Sequence, residues 1–295
     1  MDIVLSVGDE YLFDKVYSAF TLVGLPNLPR DAFLRQFSSL MFIAAFGAYS
    51  IYMVFSTISF HLFFDKRQMN HPRFLKDQIN QEIKMATDAI PLMALLTVPF
   101  FLLEIYGYSK LYDDVDEYGW GYLVASVVLF LLFTDFGIYW LHRWLHLKSI
   151  YAMLHKPHHK WIVPTPYASI AFHPVDGWAQ SLPYHVFVFL FPMHKVLYLA
   201  LFTFVQIWSI LIHDGEYFTY DPVINSAAHH TVHHLYFNYN YGQYLTLWDR
   251  IGGSYRKPTD EIYNTELRST KSVYMKQAKE VDDTISTLEN KPKTK

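Results

Sequence analysis

Eight histidines fall into three short windows, His142-Arg-Trp-Leu-His146, His155-Lys-Pro-His158-His159 and His230-Thr-Val-His233-His234, and His229 stands directly before the third. With 15 histidines in 295 residues, an HxxHH pattern is expected by chance only about 0.04 times in a chain of this length. Two copies therefore signal shared chemistry. Imidazole suits zinc, copper, iron or nickel, and on a helix the i,i+3 and i,i+4 spacings put side chains on one face. Each window can thus aim two or three imidazoles at one point, and Pro157 early in its window predicts a first helical turn there. His213, in Ile212-His213-Asp214-Gly215, is a further candidate ligand, with His173 and His229 behind it. The isolated His61, His71, His185 and His194 read instead as surface or interfacial residues. A catalytic zinc keeps about three protein ligands, so eight or more converging histidines supply two metals. A zinc protease is disfavoured because HExxH needs a glutamate as base, and Arg143 occupies that place. Two neighbouring metals with nitrogen ligands, and neither a nucleophile nor a phosphate loop beside them, point to redox chemistry with dioxygen.

The composition limits what else such a site can use. Cysteine is absent, which removes disulfides, thiolate zinc sites, iron–sulfur clusters and thiol nucleophiles together. Lys and Arg number 24 against 27 Asp and Glu, for a formal charge of −3, so there is no basic excess to hold nucleic acid. Only 17% of residues are charged and 52% are hydrophobic, whereas soluble domains carry about 25% charge. That deficit points to a lipid bilayer.

The elements that must position the histidines are membrane helices. The uncharged run Leu40–Phe60 can span about 30 Å of hydrocarbon. A second run covers Ala89–Leu103, between Asp88 and Glu104, with Pro91 in its first turn and Tyr106 and Tyr108 beyond. A third covers Tyr118–Thr134 and continues through Asp135 to Leu141. The fourth apolar region, Pro183–Ile212, is broken at Pro192-Met193-His194-Lys195 and reads as a hairpin or re-entrant pair, because a single crossing would carry the third window to the wrong side. The expected fold is all-α: a polytopic membrane protein of about four transmembrane helices or hairpin segments with a histidine-rich, two-metal helical cap. Residues 1–36 form an N-terminal segment, 37–255 the membrane-embedded domain, and 256–295 a polar, solvated and partly disordered tail. No N-terminal signal peptide is expected, since the first apolar stretch starts late and is long.

Loop charges orient the chain. Lys66, Arg67, Arg73, Lys76 and Lys84 lie between the first two spans, whereas Lys110 lies among Asp113, Asp114, Asp116 and Glu117 in the next loop. By the positive-inside rule the first loop is cytosolic and the second lumenal, so the third span delivers Arg143, Lys148, Lys156, Lys160 and the histidines to the cytosol. Asp135 shares a helix face with Tyr139, His142 and His146. A carboxylate in a span is costly and faces a protein interior or polar cavity. It is read as a carboxylate that orients a ligand histidine, the alternative being a helix-end charge that reaches the interface. Tyr241, Trp248, Asp249 and Arg250 either shape the site or anchor at the membrane interface.

At these windows the sequence resembles the fatty acid hydroxylase and sterol desaturase superfamily of membrane di-iron enzymes. Its HxxxH, HxxHH and HxxHH boxes match His142/His146, His155/His158/His159 and His230/His233/His234. Tyr139-Trp140-Leu141-His142-Arg143, Leu154 to His159, Ala171-Phe172-His173-Pro174, His213-Asp214-Gly215, and the stretches His229 to Gln243 and Thr246 to Arg250 resemble its sterol C-5 desaturase branch, over about residues 40–255. The resemblance implies removal of two hydrogens across C-5 and C-6 of a delta-7 sterol, by two iron ions with dioxygen and two electrons. It also implies NAD(P)H as electron source through a reductase and cytochrome b5. The lack of an iron–sulfur or dinucleotide motif fits electrons arriving from a separate protein. A C-4 methyl sterol oxidase or a lipid hydroxylase of the superfamily is the alternative enzyme, and a membrane metal transporter the non-enzyme alternative. The transporter is disfavoured because the boxes follow the ends of spans and no repeated halves are seen. Lys291 and Lys293 resemble the dilysine retrieval signal of endoplasmic-reticulum membrane proteins.

Overall fold

The computed structural model describes residues 1–24, 26–217 and 219–290, and the Lys291/Lys293 pair lies outside them. After two short helices, α1 (Asp2–Gly8) and α2 (Asp14–Phe20), come the long helices α3 (Phe33–Leu62), α4 (Gln78–Ile105) and α5 (Gly119–Leu145). A short α6 (Lys148–Leu154) leads through a buried loop into α7 (Pro174–Leu190) and α8 (Lys195–Ile212). Among the described residues, α3, α4, α5 and α8 are the helices long and apolar enough to cross a membrane. The protein is a helical polytopic membrane protein, as its hydropathy predicts.

The second and fourth regions begin earlier than their apolar runs suggest, for one reason. α4 starts at Gln78, so Pro91 lies in its interior and not its first turn. Its opening turns carry Gln78 and Glu82, fully buried because Gln78 Nε2 donates to the Val163 carbonyl at 2.8 Å and Glu82 accepts from Thr165. Likewise α7 starts at Pro174, and its buried Asp176 and Ser181 lower its hydropathy. At 17 residues α7 is about 26 Å long.

The hairpin is confirmed by a clasp at the far end from the histidines. Strand β1 (Leu111–Tyr112), in the loop after α4, pairs in parallel with β2 (Met193–His194), the turn between α7 and α8. Lys195 Nζ reaches Asp113 at 2.6 Å and the Tyr122 hydroxyl donates to the Pro192 carbonyl at 2.9 Å. The turn therefore lies beside the α4–α5 loop, and α8 returns to the histidine end.

The N-terminal segment packs on the first membrane helices, and the described part of the tail is better ordered than composition suggests. Leu5, Phe13 and Tyr17 pack on Leu40, Val98 and Phe101, and buried Arg35 joins Asp9 and Asp14 at 2.6 and 2.5 Å. Beyond α8 come α9 (Ala227–Tyr236), α10 (Leu247–Gly252), α11 (Asp260–Tyr263), α12 (Thr265–Arg268) and α13 (Lys271–Asn290). The expectation of a loose tail fails for residues 256–290. α13 is polar in composition because only one stripe is apolar, with Val273, Tyr274, Ala278 and Val281 at helical spacing and buried. Val281, Ile262 and Tyr263 join one core with Val232 and Leu235 of α9. Val281→Ala is expected to cost about 2 kcal/mol, read as a lower unfolding temperature in detergent, whereas exposed Met275→Ala leaves it in place. Identical melting of both variants would restore the loose-tail reading.

Candidate metal centre

The three boxes reach one place by different local structures. His142 lies in the last turn of α5, and His146 is that helix's C-terminal cap. His155 caps α6, and Pro157 then introduces a single helical turn of 3-10 type, His158–Lys160. The second box converges because the His158 and His159 amides both donate to the His155 carbonyl, at 3.0 and 3.2 Å, folding the chain back on itself. The third box is carried by α9, and His213 caps α8.

Nine histidines gather in two groups: His142, His146, His155, His159 and His233, and then His158, His213, His230 and His234. Within each group one ligating nitrogen per residue lies within 4.8 Å of all the others. Nε2 atoms face each other at 3.0 Å for His142–His155 and His213–His230, and at 3.1 Å for His146–His159 and His230–His234. The Nδ1 atoms of six rings face outward to acceptors. His142, His233 and His234 meet the carbonyls of Tyr241, Tyr239 and Trp161 at 3.0, 2.7 and 2.9 Å. His213 and His158 meet those of Ser209 and Ala171 at 2.6 and 3.4 Å, and His155 meets Asp176 Oδ2 at 2.7 Å.

This pattern tests whether a metal fits. An imidazole that donates Nδ1–H to an acceptor keeps a bare lone pair on Nε2. His142 and His155 both turn Nδ1 to an acceptor, so as neutral rings they set two Nε2 lone pairs against each other 3.0 Å apart. Such a contact is repulsive without a cation. Burial, and then the neighbouring histidines, hold His146, His158, His159, His230, His233 and His234 well below the ordinary imidazole value, and burial lowers His213 to about 4. The neutral, nitrogen-rich set fits borderline transition metals such as iron.

Three buried carboxylates fix the surroundings. Asp176 orients His155 and is itself held by Gln180 Nε2 at 2.8 Å. Asp249 accepts from the amides of Tyr241 and Gly242 and from the Ser254 hydroxyl, each at 2.8 Å, and so sets the carbonyl that receives His142. Asp135 touches no histidine and does not reach the interface. Its Oδ1 accepts from the amides of Gln243, Tyr244 and Leu245 at 3.0, 2.7 and 3.4 Å, holding the same loop one step further out. Sequence reasoning missed Asp176, although it is as isolated among apolar residues as Asp135. The Tyr241 ring lies 4.9 Å from that of His146, and Arg143 ties the first box to the Gly252 carbonyl at 2.6 Å. Trp248 packs on Phe136, and Arg250 turns away to the Pro222 carbonyl.

His173 and His229 stand outside both groups because each caps a helix. His173 Nδ1 accepts from the Val175 amide at 3.3 Å, and His229 pairs reciprocally with Ser226 at the start of α9. Of the isolated histidines, His61 is exposed and His194 meets the Asp113 carbonyl at 2.9 Å. His71 and His185 are buried, contrary to a surface reading: His71 lies against Tyr274, and His185 among Phe100, Phe101 and Phe202.

A cavity of about 280 Å³, lined mostly by apolar residues of α3, α4, α7 and α8, ends at His142, His155, His158, His213 and His230. Loss of an orienting carboxylate typically weakens a metal site about 10–100-fold. Asp176→Ala is therefore expected to lower the metal retained by purified protein against a chelator by about that factor, whereas His229→Ala keeps its full complement. Metal analysis after dialysis distinguishes them, and equal retention would remove Asp176 from the support of the site.

The fatty acid hydroxylase family pattern matches residues 127–254, which hold all three boxes. A delta(7)-sterol 5(6)-desaturase of Eremothecium gossypii is 56% identical over 95% of this chain and 79% of its own length. One from Schizosaccharomyces pombe is 52% identical over 92% of this chain and 89% of its own, and one from Candida albicans is 51% identical over 95% and 74%. No solved structure gives a significant match. With such identity sustained along nearly the whole chain and every box in place, the protein belongs to the delta(7)-sterol 5(6)-desaturase family.

Proposed function

We propose that this chain, an oxidoreductase of the sterol desaturase family, introduces the C5=C6 double bond into a delta-7 sterol, with one iron ion held by each histidine group. The observation that carries the reading is the apolar cavity between membrane helices that ends on bare Nε2 lone pairs. His142, His146, His155, His159 and His233 would hold one ion, and His158, His213, His230 and His234 the other. Bound iron would supply the reductive activation of dioxygen that removing hydrogen from C-5 and C-6 requires. The balance is one sterol, one dioxygen, two electrons and two protons to one alkene and two waters.

The chain's own groups bind and orient. The apolar walls take a lipid substrate from the bilayer and exclude water from the reacting carbons. Desaturation rather than hydroxylation depends on placing a second C–H bond within reach of the same site, so rigid rings count. Asp176, and Asp249 acting through the Tyr241 carbonyl, hold His155 and His142 in one tautomer and orientation. Asp135 is a positioning residue for residues 243–245.

The reading places the site on the cytosolic face of the endoplasmic reticulum, with NAD(P)H electrons delivered through a reductase and cytochrome b5. The Lys- and Arg-bearing loop between α3 and α4 supports that side, because it packs at the histidine end, where Gln68 Nε2 donates to the Gly215 carbonyl at 3.3 Å. The absence of cysteine also calls for an outside electron carrier.

Sterol profiling by mass spectrometry tests the reaction. Cells lacking the chain should accumulate delta-7 sterols without the C-5 double bond, rescued by wild type and not by His233→Ala; accumulation of C-4-methylated sterols would move the chain to the methyl oxidase reading. Asp135→Ala should lower turnover at least about tenfold and Asp135→Asn, which keeps an acceptor oxygen, should recover most of it. Equal loss in both would show that Asp135 acts by its charge and not by its acceptor bonds.

A further inference from the structure

The cavity has two chemically different ends. One is formed by the histidines; the other by Val4 of α1, Ile43 and Gly47 of α3 and Phe101 of α4. Along α8 it extends from Leu199 to His213, a rise of about 20 Å. If the substrate is a delta-7 sterol, on which this inference rests, its direction in the cavity follows from its covalent structure. C-5 and C-6 belong to the rings at the hydroxyl-bearing end, and the aliphatic side chain leaves C-17 at the opposite end of a rigid fused system. With C-5 and C-6 at the histidines, a side chain that stays within the cavity runs toward the other end.

We infer that the C-17 side chain of the sterol ends against Val4, Ile43 and Gly47, so that α1 and the first half of α3 set which tail lengths are accepted. Gly47 carries this assignment furthest. No heavy atom outside the helix backbone and chain neighbours lies within 4 Å of where a Cβ on Gly47 would stand. The glycine is not forced by a close neighbour or by its backbone angles. It leaves open a stretch of the cavity wall that any larger side chain would fill. The packing of α1 and α2 on α3 and α4 places Val4 there, which gives the N-terminal helices a role in substrate selection.

The test compares three substrates in microsomes: a delta-7 sterol with its intact C-17 side chain, the same ring system with that chain cut to an ethyl group, and the same ring system with that chain lengthened by two carbons. Gly47→Leu is expected to lower the ratio of kcat/KM for the intact over the shortened sterol by about tenfold, the scale on which a pocket discriminates by methylenes. Ile43→Ala, which enlarges the same end, is expected to shift preference the opposite way, toward a side chain lengthened by two carbons. Metal content is measured on both variants, and should Gly47→Leu lose metal, the Ile43→Ala ratio decides. Unchanged ratios in metal-replete variants overturn the inference. Wild-type protein that converts none of these sterols overturns the desaturase reading itself.

Discussion

The structure depends on gathering nine imidazoles, eight of them buried, with six turned so that Nδ1 meets an acceptor and Nε2 faces its neighbours. Burying polar groups is costly unless each finds a partner, and here the cost is met on the outward side of the rings. Carbonyls of Trp161, Ala171, Ser209, Tyr239 and Tyr241 and the carboxylate of Asp176 accept from Nδ1. Five of these six acceptors are backbone carbonyls, so the loops behind the histidines are as constrained as the histidines themselves. The inward lone pairs are left for a cation.

That requirement explains why so many acidic groups are buried in an apolar chain. Asp249 and Asp135 are both inaccessible, and together they order residues 241–245 by accepting successive backbone amides. Glu82 plays a comparable part for the loop after the second box, through Thr165 and Gln78. Asp249 fixes the backbone whose Tyr241 carbonyl in turn fixes the His142 ring. The clasp at the opposite end sets the lengths of α7 and α8, so that α8 ends with His213 at the height of the boxes.

The same helices leave a gap that runs from the histidines to the N-terminal helices. Its lining is mostly apolar, and the clustered imidazoles stand at one end. Metal-site construction and substrate access are thus one packing problem: α7 presents Asp176 to His155 and, from the same helix, Ser181 and His185 to the cavity.

Much was legible in the sequence because the signals are local. Imidazole is a strong ligand wherever it stands, so the spacing of His142, His146, His155, His158, His159, His230, His233 and His234, with His213 from the break after the last span, named the set that the fold brings together. Hydropathy found the spans, and the need for one shared side found the hairpin. What failed had tertiary causes. α4 and α7 extend past their apolar runs because their polar turns are buried against other segments, α13 looks like a tail because only one of its stripes is apolar, and His173 and His229 cap helices. Asp135 looked like a histidine partner because it shares their helix face, yet loop amides more than a hundred residues away claim its oxygen. The sequence by itself determined which side chains can bind metal. Only the tertiary structure decided how they are held, because the acceptors behind them are mostly backbone carbonyls, which every residue carries and no residue type reveals.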